Sequence, residues 1–188
     1  FMLDGELQKK AMQLIDELRV AGDTAGGIVE IRVKGLKSGF GSCMQYTTKL
    51  DAILCGALMS VQAIKGVEVG MGFGVAYKPG SLVHDEIYLK DGAYVRTTNN
   101  AGGIEGGMSN GGEIVLRAAM KPIPTLMKGL NTVDISTGQP AKAASERSDV
   151  AAICACEIIA ECVTATTLAE VVSARLGGDN LREVKERY

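Results

Sequence analysis

The sequence lacks the features that mark several common classes of protein. It has no tryptophan and only three phenylalanines, so a stacking platform for nucleic-acid bases is not expected. The net charge of −2 leaves no surplus of basic residues for a phosphate backbone. An apolar stretch over residues 150–176 is interrupted by Glu157, Glu161, Glu170 and Arg175, which favours a core helix over a membrane span. We therefore expect neither a nucleic acid nor a membrane as a partner.

Metal-binding patterns are also missing. The five cysteines form no Cys-x-x-Cys pair, and the single histidine, His84, stands far from them in the sequence. A zinc site therefore has little support, and we expect no metal. The odd number of cysteines is typical of buried free thiols in a reducing compartment, so a cytoplasmic location is expected.

Helical and strand patterns alternate along the 188 residues and predict a single α+β domain. Apolar residues at helical spacing predict helices over residues 5–21, from Leu50 to a stop at Gly66, and from a cap at Ser148 or Asp149 to Leu176. Strand patterns cover residues 29–33, 67–75, 94–98, 113–120 and 133–135. In the second of these strands one face is rich in glycine, which favours close approach of a helix or, as the alternative, a ligand.

The most informative segment is residues 99–112, called here the Gly/Asn segment. Six of its 14 residues are glycine and three are asparagine, the residues that best tolerate positive φ. Such a segment suits backbone that folds tightly against a flat or anionic group, with its N–H groups free to donate. The alternative is a solvated loop without a ligand.

Two further segments carry candidate charges. In the 121–125 segment two prolines hold Lys121 and Thr125 on a fixed path after a strand, which suits a phosphate or an anionic ring system. Arg147 and Asp149 lie at the predicted start of the long helix, where the helix dipole favours an anion. Taken alone, each pattern also fits a simpler structure, a Lys-Pro turn or a helix cap with a surface ion pair. His84 is interpreted as structural because no nucleophile motif accompanies it.

Five ordered motifs together resemble those of the chorismate synthase family. They are Lys49-Leu50-Asp51-Ala52 with residues 63–73, His84-Asp85-Glu86-Ile87, residues 98–111, residues 117–125, and Glu146-Arg147-Ser148-Asp149. The match covers nearly the whole chain, and residues 98–111 are close to a signature of the family. The resemblance implies a β-α-β sandwich, with antiparallel sheets and packed helices, and assembly of the intact protein as a homotetramer.

The resemblance also implies an activity. The family binds reduced FMN and converts 5-enolpyruvylshikimate-3-phosphate to chorismate by anti-1,4-elimination of phosphate, without net redox change, in aromatic amino-acid biosynthesis. The implied flavin contacts are Gln62, Ala63, Gly106, Lys121, Pro122, Ile123, Pro124, Thr125 and Arg147. Arg147 would also lie near the anionic substrate. Asp149 matches the residue that handles a proton at the flavin N5, so that the reduced flavin acts as a base.

The resemblance covers the C-terminal half of the family's fold. The family's Gly-x-Ser-His-Gly segment, a second histidine and several substrate-binding arginines have no counterpart in these 188 residues. We therefore expect the intact protein to be the enzyme and the 188 residues alone to be inactive. The alternative is a non-catalytic flavin- or phosphate-binding module, or a module that serves in assembly. Whether NADP or an external reductase keeps the flavin reduced stays open.

Overall fold

The computed structural model describes residue 2 and residues 4–188. The α-helices are α1 (Gly5–Ala21), α2 (Leu50–Met59), α3 (Ile153–Leu176) and α4 (Leu181–Arg187). Short 3₁₀ helices occupy Gly72–Tyr77 and Gly80–Leu82. The strands are β1 (Gly27–Val33), β2 (Ile64–Val69), β3 (Ile87–Lys90), β4 (Ala93–Arg96), β5 (Ile104–Glu105), β6 (Met108–Ser109), β7 (Ile114–Met120), β8 (Asn131–Val133) and β9 (Pro140–Lys142).

The first helix has the bounds that the sequence predicts. The carboxylate of Asp4 accepts hydrogen bonds from the backbone N–H groups of Glu6 and Leu7, over 2.8 and 3.1 Å, and so caps the first turn. Gly22, in the left-handed conformation, ends the helix. The N–H of Lys128 donates to the carbonyl of Gly22 over 2.9 Å, which joins the end of α1 to the rest of the structure.

The main sheet is antiparallel with the strand order β1-β7-β2. Along β7, in the centre, residues alternate between the two faces. Ile114, Leu116 and Ala118 are fully buried on one face, while Arg117 pairs between Glu30 and Glu68 on the other. The predicted strands over residues 29–33 and 113–120 are therefore confirmed, with the charged residues on the face away from the core.

Two helices cover the apolar face of this sheet. α2 packs on β2, α3 packs on β1, and the two helices contact each other. Leu50, Leu54 and Leu58, spaced four residues apart on α2, are completely buried in the core that results. The other strands form two-stranded hairpins: β3-β4, β5-β6 and β8-β9.

The region after α2 differs from the prediction. α2 ends at Met59 and does not reach Gly66, because Ile64 already pairs with Met120 in the sheet. The predicted strand over residues 67–75 stops at Val69, and a 3₁₀ helix follows. Gly70 has a φ of +58°, and a Cβ there would lie 2.2 Å from the carbonyl oxygen of Asn100. The glycines thus end the strand and admit the Gly/Asn segment, not a helix.

The start of α3 also differs. Its first residue is Ile153, its N-cap is Ala152, and no side chain caps it. Arg147 and Asp149 therefore lie outside the helix, and the prediction that they sit at its N-terminus is wrong. The hydroxyl of Ser148 instead donates to the carbonyl of Thr125 over 2.8 Å. The predicted C-terminal end at Leu176 is confirmed.

The five cysteines are all free, but the predicted burial holds for few of them. Cys156 is buried and Cys55 partly buried, whereas Cys43, Cys154 and Cys162 are exposed. Among the described residues, no helix combines the length and the apolar character needed to cross a membrane.

Candidate functional site

The candidate site begins where β2 and β7 meet at one end of the sheet. The backbone N–H of Lys121, just after β7, donates to the carbonyl of Ala63 over 2.9 Å. Ala63 has a φ of +70°, which is uncommon for a residue with a side chain. Gln62 precedes it in the same turn and is exposed. The structure thus places Gln62 and Ala63 beside Lys121, although they are far apart in the sequence.

The 121–125 segment is held by side chains as well. The hydroxyl of Thr24 donates to the carbonyl of Ile123 over 2.7 Å, and the hydroxyl of Ser148 donates to the carbonyl of Thr125. Pro122 and Pro124 fix the backbone between these bonds. The segment is therefore fixed at three points, and the ammonium of Lys121 forms no ion pair with any described residue.

The hydrogen bond from Ser148 to Thr125 brings the neighbours of Ser148, Arg147 and Asp149, to the 121–125 segment. Both side chains are exposed, and neither forms an ion pair or hydrogen bond within the described part of the chain. Asp149 lines a cavity of about 60 Å³ together with Thr125, Ser148, Asp23 and Arg19. This end of the molecule therefore presents two unpaired cations, a threonine hydroxyl and a carboxylate, a set that suits an anionic ligand.

Gly106 lies apart from this group. It occupies the tight turn of the β5-β6 hairpin, is exposed, and has open space where a Cβ would stand. The carbonyl of the next residue, Gly107, accepts from the backbone N–H of Leu50 at the start of α2, whereas Ala63 follows the other end of that helix. A ten-residue helix is about 15 Å long. A ligand that contacts both Gly106 and Ala63 has to span roughly that distance.

The rest of the Gly/Asn segment is fastened within the protein. The carboxylate of Asp85 accepts from the backbone N–H groups of Asn100 and Ala101 and from the hydroxyl of Thr98, over 2.6 to 2.9 Å. The N–H of Gly103 donates to the side chain of Asn99. Two of these N–H groups bind an anion of the protein itself, the Asp85 carboxylate, and none of the three is free for a ligand, so the expectation of free donors is wrong for this part of the segment.

These hydrogen bonds shift the pKa of Asp85. Burial raises the pKa of its carboxyl, but the hydrogen bonds from Thr98, Ala101 and Asn100, together with the charge of Arg96, outweigh burial and lower the pKa below its ordinary value. Next along the chain, Arg96 forms an ion pair of 2.8 Å with Glu105, which directly precedes Gly106. The Gly/Asn segment is thus held by side-chain contacts on both sides of Gly102 and Gly103.

A larger cavity, of about 390 Å³, lies on the charged face of the main sheet. Its two arginines are already paired: Arg117 with Glu68 over 3.0 Å, and Arg32 with Glu113 over 3.4 Å. Asn99 and Asn100 of the Gly/Asn segment line it, but none of the residues that the resemblance assigns to the flavin or to catalysis does. We therefore place the candidate site at the end of the sheet and not in this cavity.

One part of the site is not predicted from the sequence. The pattern of residues 22–27, which join α1 to the first residue of β1, predicts only the end of a helix, yet the hydroxyl of Thr24 donates to a carbonyl of the 121–125 segment. The available signal was the adjacent pair Gly26-Gly27, which marks close approach of another backbone. A Cβ at Gly26 would lie 2.3 Å from the carbonyl oxygen of Met120.

Comparisons with known proteins identify the family of the chain. A family model described as chorismate synthase matches residues 1–172. The curated chorismate synthase of Pelobacter propionicus is 52% identical over 196 residues, which cover 100% of this chain and 50% of that protein. The one from Thermoanaerobacter pseudethanolicus is 53% identical over 182 residues, which cover 96% of this chain and 52% of that protein.

A solved structure is similar as well. A crystal structure of chorismate synthase matches with a TM-score of 0.80 and 38% identity, over 97% of this chain and 47% of that one. This likeness confirms the predicted α+β fold. The chain spans about half the length of the curated relatives it matches. With most of its length matched by the family model, the chain belongs to the chorismate synthase family.

Proposed function

We propose that the protein, in its full encoded length, is a lyase that eliminates phosphate from 5-enolpyruvylshikimate-3-phosphate to give chorismate, with reduced FMN as cofactor. One observation carries this proposal. Three segments that the family resemblance assigns to the flavin, residues 62–63, 121–125 and 147–149, come together at one end of the sheet through the Lys121–Ala63 and Ser148–Thr125 hydrogen bonds.

The residues at this end of the sheet fit the charge of FMN. Lys121 and Arg147 are cations without an anionic partner among the described residues, and the phosphate of the flavin is a dianion. Thr125 adds a hydroxyl on a backbone that is already fixed, so little conformational entropy is lost when a ligand binds. We therefore assign Lys121, Thr125 and Arg147 to binding of the cofactor. The wall of the binding site is assigned to Gln62, Ala63, Pro122, Ile123 and Pro124. Gly106 contacts the far end of the cofactor.

Asp149 is the catalytic residue in this proposal. The elimination breaks the carbon–oxygen bond to phosphate, which leaves with that electron pair, and one carbon–hydrogen bond, whose electron pair gives the additional carbon–carbon double bond, so no electrons are gained or lost overall. When bound, reduced FMN supplies electron density to the substrate as phosphate leaves and recovers it afterwards. Asp149 holds the proton on its carboxylate, where general acid–base catalysis contributes typically 10²- to 10⁴-fold. Arg147, two residues away, keeps the anionic substrate next to it.

Anaerobic turnover tests the proposal. The protein in its full encoded length is mixed with chemically reduced FMN and 5-enolpyruvylshikimate-3-phosphate, and both chorismate and free phosphate are measured. We expect equal amounts of the two products, and none with oxidised FMN. Chemical reduction makes the test independent of whether NADP or an external reductase supplies electrons in the cell. Binding of FMN without any phosphate release would overturn the lyase proposal and favour a flavin-binding module.

The 188 residues taken alone are proposed to bind flavin or phosphate without turnover. Their single histidine, His84, has its ring next to Gly80 in the region of the short 3₁₀ helices, and it is not among the residues that the resemblance assigns to the flavin or to catalysis. Histidine catalysis therefore has no candidate in the described chain. Chorismate formation by the isolated 188 residues would contradict this proposal.

We also propose that the protein forms a homo-oligomer, a tetramer when intact. Ile158 and Ile159 on α3, Phe73 in the first 3₁₀ helix and Tyr94 on β4 are large apolar residues that are 48 to 83% exposed. Exposed large apolar residues are typical of surfaces that become buried on association. Light scattering after size-exclusion chromatography tests the number of chains, and a monomer at micromolar concentration would contradict the proposal.

A cytoplasmic location is proposed as well. The five cysteines are free and three are exposed, and such thiols persist in a reducing compartment. Fractionation of the cells that produce the protein tests this location.

A further inference from the structure

The turn over residues 22–27, called here the hub turn, contacts both segments of the candidate site. From Thr24 the side-chain hydroxyl donates to the carbonyl of Ile123 over 2.7 Å. From Ala25 the backbone N–H donates to the carbonyl of Val150 over 2.8 Å, and Ala25 forms a parallel β-bridge with Ala151. The hub turn thus lies between the 121–125 segment and residues 147–151 and is bonded to each.

The approach of the hub turn to the 121–125 segment is close. A Cβ at Gly26 would lie 2.3 Å from the carbonyl oxygen of Met120 and 3.0 Å from the nitrogen of Pro122. These are backbone atoms at the start of the segment, so they have no flexible end that could move aside. The backbone that carries Lys121 is therefore in direct contact with the hub turn.

The Ile123 carbonyl has a single described donor. Prolines on either side, Pro122 and Pro124, have no N–H group and add no ladder hydrogen bond here. The segment is not part of a strand, so the hydroxyl of Thr24 fixes its middle while the Ala63 and Ser148 bonds fix its two ends. Without that hydroxyl, these hydrogen bonds hold the segment at its two ends only.

We infer that Thr24 is a positioning residue for the cofactor segment: its hydroxyl sets the path of residues 121–125 and, through it, the placement of Lys121 and Thr125. This inference rests on the proposed function, because it assigns the consequence to FMN binding. It adds a residue that touches neither cofactor nor substrate and acts through the Ile123 carbonyl.

Three variants of the protein in its full encoded length test the inference. Thr24→Val keeps the shape and removes the hydroxyl, whereas Thr24→Ser keeps the hydroxyl. Thr166→Val is the matched control, because the Thr166 hydroxyl also bonds a carbonyl, that of Cys162 over 2.9 Å, but within the exposed side of α3. Two quantities are measured: the dissociation constant for FMN by fluorescence quenching, and amide hydrogen exchange of the peptide that contains residues 121–125, without FMN.

We expect Thr24→Val to weaken FMN binding about tenfold, the value of one net hydrogen bond. Exchange in residues 121–125 should become faster in the same variant. Thr24→Ser should match the parent in both measurements, and so should Thr166→Val. A general loss of stability would speed amide exchange in many segments. Faster exchange that is confined to residues 121–125 therefore indicates a local effect.

Two results would overturn the inference alone: a Thr24→Val variant that binds FMN like the parent, or a Thr24→Ser variant that loses as much affinity as Thr24→Val. A parent protein that binds no FMN would overturn the proposed function and the inference with it. These outcomes are distinguishable because the parent is measured first.

Discussion

Ala63 accepts a hydrogen bond from the backbone N–H of Lys121 while its own backbone is left-handed, with a φ of +70°. For an L-residue with a Cβ, this conformation costs roughly 1–2 kcal/mol. The neighbouring structure holds it there, because the carbonyl of Ala63 has to face the chain that leaves β7. Strain of this kind is typical of positions where the backbone path serves a site.

Ala63→Gly should therefore relieve strain. We expect the free energy of unfolding to rise by up to about 1 kcal/mol, since relief of the left-handed Cβ exceeds the added flexibility of the unfolded chain. Ala165→Gly, at an exposed position inside α3, is the matched control and should lower stability by about 1 kcal/mol. Urea unfolding of both variants measures the two values. Equal losses in both would mean that Ala63 carries no strain.

Lys121→Ala tests whether the ammonium group of Lys121 binds FMN. Without its ammonium, FMN binding should weaken about 10- to 100-fold, as expected for a lost hydrogen bond to a charged group. Lys90→Ala, on the exposed β3-β4 hairpin, is the control and should bind within twofold of the parent. Titration of oxidised FMN by fluorescence quenching gives both constants. A Lys121→Ala variant with unchanged affinity would remove Lys121 from the binding site.

Asp149→Asn separates proton handling from binding. The amide keeps the size of the side chain but cannot hold the proton, so kcat should fall about 10²- to 10⁴-fold. The dissociation constant for FMN should stay within about threefold. Asp91→Asn is the control, because Asp91 has a positive φ that asparagine also tolerates. Single-turnover kinetics measure the chemical step, and a full-rate Asp149→Asn variant would assign the proton to another group.

How far the fold could be predicted depends on the element. β7 is found where predicted, and along it three buried residues alternate with half-buried ones without a break. The end of α2 was not predicted, since Val61 and Ile64 continue its helical spacing. Both are buried, but they are buried by the turn and by β2. Spacing identifies a buried position without saying which element buries it.

The candidate site shows the same division. The charged residues Lys121, Arg147 and Asp149 were identified from sequence patterns and from the family resemblance together. Thr24 was not, because the contact that gives it a role joins residues 99 positions apart, and no local pattern encodes it. The Gly/Asn segment was misjudged for a related reason: its acceptor, Asp85, lies on another part of the chain.

The shifted pKa of Asp85 predicts how stability depends on pH. Because the pKa is lower in the folded protein, the stabilisation from its carboxylate is fully present above the unfolded value, about 3.9, and is lost as the pH falls through the folded pKa. Asp85→Asn should reduce the melting temperature at pH 6, and the difference from the parent should shrink below about pH 4. Melting curves from pH 3 to pH 7 measure it. A difference that is constant over this range would contradict the assignment.

Thiol reactivity gives the last prediction. Burial and, second, the charge of Glu157 raise the pKa of Cys156, and burial with the charge of Asp51 does the same for Cys55. Since the thiolate is the reactive form, both should be alkylated more slowly at pH 7.5 than the exposed Cys43. Timed labelling followed by peptide mass mapping ranks the five sites, and labelling in urea is the control because it removes the burial. If Cys156 reacts as fast as Cys43 in the native protein, the packing of α3 against α2 is not the one described.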